Sequence, residues 1–323
     1  MADAVKVLSI DGGGIRGLIP ATILSAIEEQ TQSRIADLFD LIAGTSTGGI
    51  LALGLVKPAR QSGRKPQYSA AELAELYEKE GTRIFARSLW HRLVALDNLL
   101  DEKYDAAGLE SVLEQYFGNV TLSRACTEVL VTSYELETRE PWFFARHKAR
   151  ARPDYDFPMR FVARATSSAP TYFEPEELET ISPPGGLIDG GVFANNPAMC
   201  AYVEMKKLEP EADVLLVSLG TGQHTRAIHY DDAKNWGLAY WAKPILSVVF
   251  DGVSDTVDHQ MKTLCPDTAD GPRYYRFQTE LDVGSDDMDN ATATNVAALR
   301  QKAQEMIDQN REALDTLCQA LAS

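Results

Sequence analysis

Short apolar runs, each halted abruptly by glycine, set the rhythm of the first sixty residues. Val5 to Ile10 predicts a buried strand, stopped by Asp11 and three glycines. Leu18, Ile19, Ile23, Leu24 and Ile27 then recur at helical spacing and predict a helix over 18–30. Phe39 to Ala43 predicts a second strand that breaks at Gly44, and Thr47 to Val56 predicts a buried helix. Strand, turn and helix repeated in this order predict an α/β fold, a parallel sheet with covering helices.

Further along, residues 57–68 read as an exposed basic loop. Ser69 opens a helix, with Glu72 placed to complete a capping box, and residues 81–118 read as mostly helical. Glu128–Tyr134 and Trp142–Arg146 predict a hairpin, Met159–Ser168 a buried helix, and Gly186–Asp189 a short strand. Ala198–Leu208 returns to helix, Asp213–Leu219 forms a core strand, and Arg273–Gln278 a late one. Val296, Leu299, Ala303, Met306, Leu314, Leu317 and Leu321 mark the stripe of one long amphipathic helix at about 290–321, expected to pack against the sheet. With no repeat, low-complexity tract or linker, residues 1–323 read as a single domain.

Composition narrows the function classes. Lys and Arg number 31 against 47 Asp and Glu, a formal charge of −16. Such a surface repels nucleic acid and anionic headgroups, and no basic stripe interleaved with aromatics invites them. It leaves open transient contact with a membrane surface through a neutral or apolar patch. Cys126, Cys200, Cys265 and Cys318 are widely spaced and read as free thiols of a reducing compartment. The N-terminus has no signal-peptide pattern and no apolar run reaches the length of about 18 residues needed to span a bilayer, so the expected location is cytoplasmic.

Two glycine loops carry the candidate chemistry. Asp11-Gly12-Gly13-Gly14-Ile15-Arg16-Gly17 joins a strand to a helix, and bare N–H groups at a helix N-terminus form an anion site. The anion is either a phosphate or the oxyanion of an acyl intermediate. Gly12, Gly14 and Gly17 satisfy G-x-G-x-x-G, so a nucleotide site is an alternative. That fingerprint wants an acidic residue at the end of the second strand, where this chain has Gly44-Thr45-Ser46. Gly44-Thr45-Ser46-Thr47-Gly48 is itself G-x-S-x-G in a strand-turn-helix setting, the pattern of a nucleophile elbow, although Ser46 could also be a plain helix cap. Its hydroxyl needs a proton acceptor. His224, His229 and His259 qualify by chain order, as in a Ser-Asp-His esterase, but none stands in a turn motif; His91 and His147 complete the histidines. Asp189, ending a short strand before Gly190-Gly191, is better placed as the base, against the plainer reading of an Asx-turn.

These three elements, in this order, closely resemble the patatin-like phospholipase family, in its bacterial-type form. Ala165-Thr166-Ser167-Ser168-Ala169-Pro170, Asn195-Asn196-Pro197 and Leu219-Gly220-Thr221-Gly222 are similar to further landmarks of that family, and the likeness covers about residues 4 to 260. The resemblance implies a three-layer α/β/α fold with a mainly parallel central sheet. It implies lipid acyl hydrolysis without calcium or other cofactor, with Ser46 as nucleophile and Asp189 as the other half of a Ser–Asp dyad. The N–H groups of Gly12, Gly13 and Gly14 would form the oxyanion hole, with Arg16 setting the loop and Gly44 and Gly48 flanking the elbow. The implied partner is a phospholipid or other acyl ester, and a homo-oligomer stays open. For the acyl groove, Trp236–Phe250 is one candidate, with Trp241 and Phe250 as substrate-binding residues; Ile84–Leu100, with Phe85, Leu89 and Trp90, is another.

Overall fold

The computed structural model describes residues 4–60, 65–84, 106–179, 184–224, 227–241, 244–282 and 287–322. The candidate groove residues Phe85, Leu89 and Trp90, together with His91, lie outside them, as does the side chain of His224. The strands are β1 (Val5–Ile10), β2 (Leu41–Thr45), β3 (Glu128–Glu135), β4 (Glu140–Ala145), β5 (Glu176–Leu178), β6 (Gly185–Asp189), β7 (Val214–Leu219), β8 (Gln223–His224), β9 (Tyr274–Phe277) and β10 (Glu280–Leu281). The longer helices are α1 (Leu18–Thr31), α2 (Thr47–Val56), α3 (Ala70–Ile84), α4 (Ala107–Phe117), α5 (Met159–Thr166), α6 (Ala198–Leu208), α7 (Pro244–Leu264), α8 (Ala293–Gln309) and α9 (Arg311–Ala322).

Eight strands form one mixed, mostly parallel sheet in the order β5-β6-β3-β2-β1-β7-β9, with β4 paired to β3. β2, β1, β7 and β9 run parallel to one another and to β3, whereas β4 and β6 pair with β3 antiparallel. Alternation along the strands divides the core into two layers. Leu8, Ile10, Ile42, Val217 and Leu219 join one apolar cluster with α1 and α2; Val7, Leu41, Ala43, Val214 and Leu216 join the other with Ala201 and Met205 of α6 and Val257 and Met261 of α7. Helices therefore cover both faces, as expected for a parallel sheet.

The register of β3 brings two distant strands together. β2 pairs with residues up to Thr132, through Thr45, and β6 pairs with Ser133 to Glu135, through Asp189 opposite Ser133. β4 spans Leu130–Glu135, so it takes the other edge of β3, and β2 and β6 share one edge. Running in opposite directions, their C-terminal ends meet there.

Several local expectations are met. Ser69 and Glu72 form the reciprocal capping box, with Ser69 N–H donating to Glu72 Oε2 at 2.8 Å and Glu72 N–H to Ser69 Oγ at 3.1 Å. Others need correction. The single helix at 290–321 is two: α8 ends at Asn310, whose φ of −109° and ψ of 22° leave the helical region and whose Nδ2 donates to Met306 O. Both pieces pack on α1 rather than on the sheet, which keeps the apolar stripe buried apart from the half-buried Val296. Lys57 is not on an exposed loop; it is buried, and its ammonium donates to Tyr116 O. Among the described residues no helix is long and apolar enough to cross a membrane.

Candidate active site

Ser46 follows β2 directly and stands before α2 with φ 55° and ψ −123°. A non-glycine residue held there stores about 1–3 kcal/mol and persists only when its surroundings dictate it. They do so here. Ser46 N–H donates to Thr166 Oγ1 at 2.8 Å, and Thr166 Oγ1 donates to Thr132 O at 2.6 Å. The turn is tight enough that a Cβ on Gly44 would collide with Gly48 O, and one on Gly48 with Ile10 O. The elbow glycines are thus required by close backbone approach.

Asp189 ends β6 and is 1% exposed. Its N–H donates to Ser168 O at 3.0 Å, and its Oδ1 accepts from Gly191 N–H at 2.7 Å. Burial pushes its pKa up to about 7, against the opposing hydrogen bonds from the Ser46 hydroxyl and from Gly191. The two side chains named from the sequence line one cavity.

The first glycine loop is fixed at several points. Asp11 N–H donates to Leu219 O (3.0 Å), Thr221 Oγ1 to Gly12 O (2.7 Å), Ile15 N–H to Met288 O (2.8 Å), and buried Arg16 Nε to Gly13 O (3.2 Å). Arg276 grips Asp11 in a bidentate pair at 3.0 and 2.7 Å and also donates to Ser218 Oγ. Burial raises the Asp11 pKa, and Arg276 opposes that shift. One expectation is corrected: Gly12 N–H donates to Asn195 O at 2.9 Å, so it is already occupied. Among the described residues, the N–H groups of Gly13 and Gly14 have no acceptor, which narrows the candidate oxyanion donors to these two.

Ser46, Asp189, Gly13 and Gly14 open on one cavity whose wall includes the apolar side chains of Ile15, Ile50, Leu109, Phe173, Phe250 and Met288. Phe250 is brought to the site by α7. Trp241 is not among the lining residues; it packs edge-on against Trp236, with ring centroids 5.3 Å apart. Of the second candidate stretch, only Ile84 lines the cavity among the described residues. His147, His229 and His259 do not line it, and His147 instead faces Glu204 at 3.2 Å. Among the described residues no group of three His, Cys, Asp or Glu side chains is arranged to hold a metal ion.

Sequence reasoning named Thr166 and Asn195 only within family landmarks, without a role, and missed Ser254 and Arg276. A signal existed for two of them: Asn195 follows the Asp-Gly-Gly turn, and Arg276 is a lone charge inside an apolar strand.

The sequence profile described as "Patatin-like phospholipase" matches residues 8–202. "Patatin-like protein 2" of Oryza sativa subsp. indica is 31% identical over 348 residues, covering 96% of this chain and 85% of that protein. "Probable inactive patatin-3-Kuras 1" of Solanum tuberosum is also 31% identical, covering 95% and 87%. The crystal structure of VipD from Legionella pneumophila aligns over 95% of this chain and 67% of its own, at TM-score 0.42 and 12% identity. A name marked inactive among such relatives means that membership and turnover are separate questions. Extent of match and identity together place the chain in the patatin-like phospholipase family of lipid acyl hydrolases.

Proposed function

We propose that this chain cleaves fatty acyl esters of phospholipids or glycerolipids through Ser46 and Asp189, by way of an acyl-enzyme and without calcium. The observation that supports this most is that Ser46 and Asp189 line one cavity, with Asp189 a buried carboxylate whose pKa is about 7. A base poised near neutrality can take a proton and return it within one cycle. Asp189 accepts the Ser46 proton as Oγ attacks the ester carbonyl carbon. Negative charge on the carbonyl oxygen meets the N–H groups of Gly13 and Gly14, each such donor typically worth about 3–4 kcal/mol of barrier. The C–O bond to the alcohol breaks and the alcohol takes the proton from Asp189. Water then cleaves the acyl-enzyme by the same proton route. Charge and proton are handled by these groups alone, so the chemistry asks for no metal, and the apolar wall suits an acyl chain.

A fluorophosphonate should label the wild type and not Ser46→Ala. Ser46→Ala and Asp189→Asn should each lower turnover of p-nitrophenyl butyrate and phosphatidylcholine by about a thousand-fold or more, and EDTA should leave the wild type unchanged. Wild-type rates in either variant would sink the dyad.

A further inference from the structure

Among the described residues, two buried polar side-chain atoms in the cavity wall have no hydrogen-bond partner: Asn195 Oδ1 and Ser167 Oγ. Unpaired buried polar atoms are rare in folded proteins and ask for a ligand or a function. A serine hydroxyl can rotate toward whatever arrives. The Asn195 amide cannot, because both ends of the residue are tied. Its Nδ2 donates to Ser254 Oγ on α7 at 3.0 Å, and its main-chain O accepts from Gly12 N–H. The residue is 7% exposed and lines the same cavity as Ser46 and Asp189. A Cβ built on Gly12 would collide with Asn195 Oδ1 and stand 3.3 Å from Ser46 Cβ. A fixed, unsatisfied acceptor thus lies across Gly12 from Ser46, in the wall of the same cavity.

The two halves of the reaction make different demands on acceptors. In acylation the nucleophile is Ser46, which has one proton to give, and Asp189 receives it. In deacylation the nucleophile is water, which has two. Asp189 receives one as the water oxygen bonds to the acyl carbon. In a cavity with an apolar wall the other O–H needs an acceptor of its own, or the water is held with an unmade hydrogen bond.

We propose that Asn195 Oδ1 accepts this second O–H and orients the hydrolytic water, so that hydrolysis prevails over acyl transfer to alcohols. The proposal rests on the Ser46–Asp189 reading. No proton passes to Asn195. Water oxygen forms the new C–O bond and its first proton goes to Asp189. The bond from carbon to Ser46 Oγ then breaks, and Oγ recovers that proton, releasing the fatty acid.

Asn195→Leu keeps the size and removes the acceptor. With p-nitrophenyl butyrate at pH 8, fluorophosphonate labelling should stay within about two-fold of wild type, while steady-state turnover falls about ten- to hundred-fold, the loss expected for one unmade buried hydrogen bond. A burst of p-nitrophenol near one equivalent should appear. Methanol has one O–H and a methyl that needs no acceptor, so the ratio of methyl butyrate to butyrate formed in methanol–water should rise about ten-fold or more. Ser254→Ala, which frees the amide to turn, should shift the same ratio in the same direction by less, and it carries the test if Asn195→Leu does not fold. An unchanged ratio, or labelling and turnover falling in parallel, overturns the proposal; the parallel loss would assign the amide to acylation instead. Failure of the dyad itself shows separately, as a wild type that resists the label or a Ser46→Ala that keeps its turnover.

Discussion

Asp189 should make both activity and stability depend on pH, in opposite senses. Its folded pKa lies near 7 against an ordinary 3.8, and burial is the largest cause. As the proposed base it would work only when ionised, so kcat/KM should climb with pH and level off above about 8, with about a tenfold loss per pH unit well below 7. Stability runs the other way. A carboxyl with a raised folded pKa holds its proton longer in the folded than in the unfolded chain. Its contribution is most favourable below about 3.8 and is lost as pH rises through about 7. The displacement from 3.8 to about 7 corresponds to at most about 4 kcal/mol. Asp189→Asn keeps an acceptor for Gly191 N–H but never ionises. It should therefore be inactive, and more stable than wild type by about 2–4 kcal/mol at pH 8, with the gap closing toward pH 4. Urea denaturation of both proteins at pH 4.5, 6 and 8, beside initial rates with p-nitrophenyl butyrate from pH 5 to 9, measures both effects. A rate flat between pH 5.5 and 8, or a variant less stable than wild type at pH 8, would refute the reasoning.

Arg276→Met should strand the buried Asp11 carboxylate and lower stability by about 3–5 kcal/mol, read from the urea midpoint; Asp11→Asn in the same chain should recover part of it. Gly44→Ala drives a methyl into the Gly48 carbonyl and should lower stability by about 3 kcal/mol, or leave the chain insoluble. Phe250→Ala removes a wall of the cavity and should shift the dodecanoyl-to-butanoyl preference in kcat/KM toward the longer chain by about five-fold or more. Trp241→Ala, packed on Trp236 away from the cavity wall, should leave that preference where it was.

Much of the site was legible because its chemistry is local in sequence. Strand, glycine turn and helix follow one another at 5–31 and 41–56, and each turn announces its own tightness through glycines that no side chain could replace. The observed strand β2 begins two residues later than the apolar run at Phe39, because Asp40 is held in a turn by hydrogen bonds to and from the Lys6 main chain. Non-local pairing was invisible. Nothing in Asp11–Gly17 says that Gly12 N–H is taken by Asn195, a residue 183 positions further along the chain that follows β6. Arg276 is marked in sequence only as a charge inside an apolar strand; its partner Asp11 follows from the pairing of β9 with β7. The aromatic stretch 236–250 misled for a related reason. Composition cannot tell which face of a helix meets the cavity, and among the described residues of that stretch only Phe250 does.

The placement of Ser46 and Asp189 follows from one feature of the sheet, the shared edge of β3. Two strands converge there head-on, and neither can extend without displacing the other. Gly190 shows how little space is left, since a Cβ on it would collide with Thr132 Oγ1 and stand 2.6 Å from Thr132 O. Ser46 and Asp189 are the residues at which the two strands give way, one turning into α2 and the other into the Gly190–Gly191 turn. Thr132 ties the junction together: its Oγ1 bonds Thr45 Oγ1 at 2.7 Å, and its O accepts from the Thr166 hydroxyl that holds Ser46 N–H. A strained serine and a buried carboxylate each oppose folding by a few kcal/mol. The sheet can hold both because relieving either would require breaking the register of β3 with β2 or β6, which also anchors the core on both faces. At this junction strain and desolvation coincide, and that is where the proposed nucleophile and base sit.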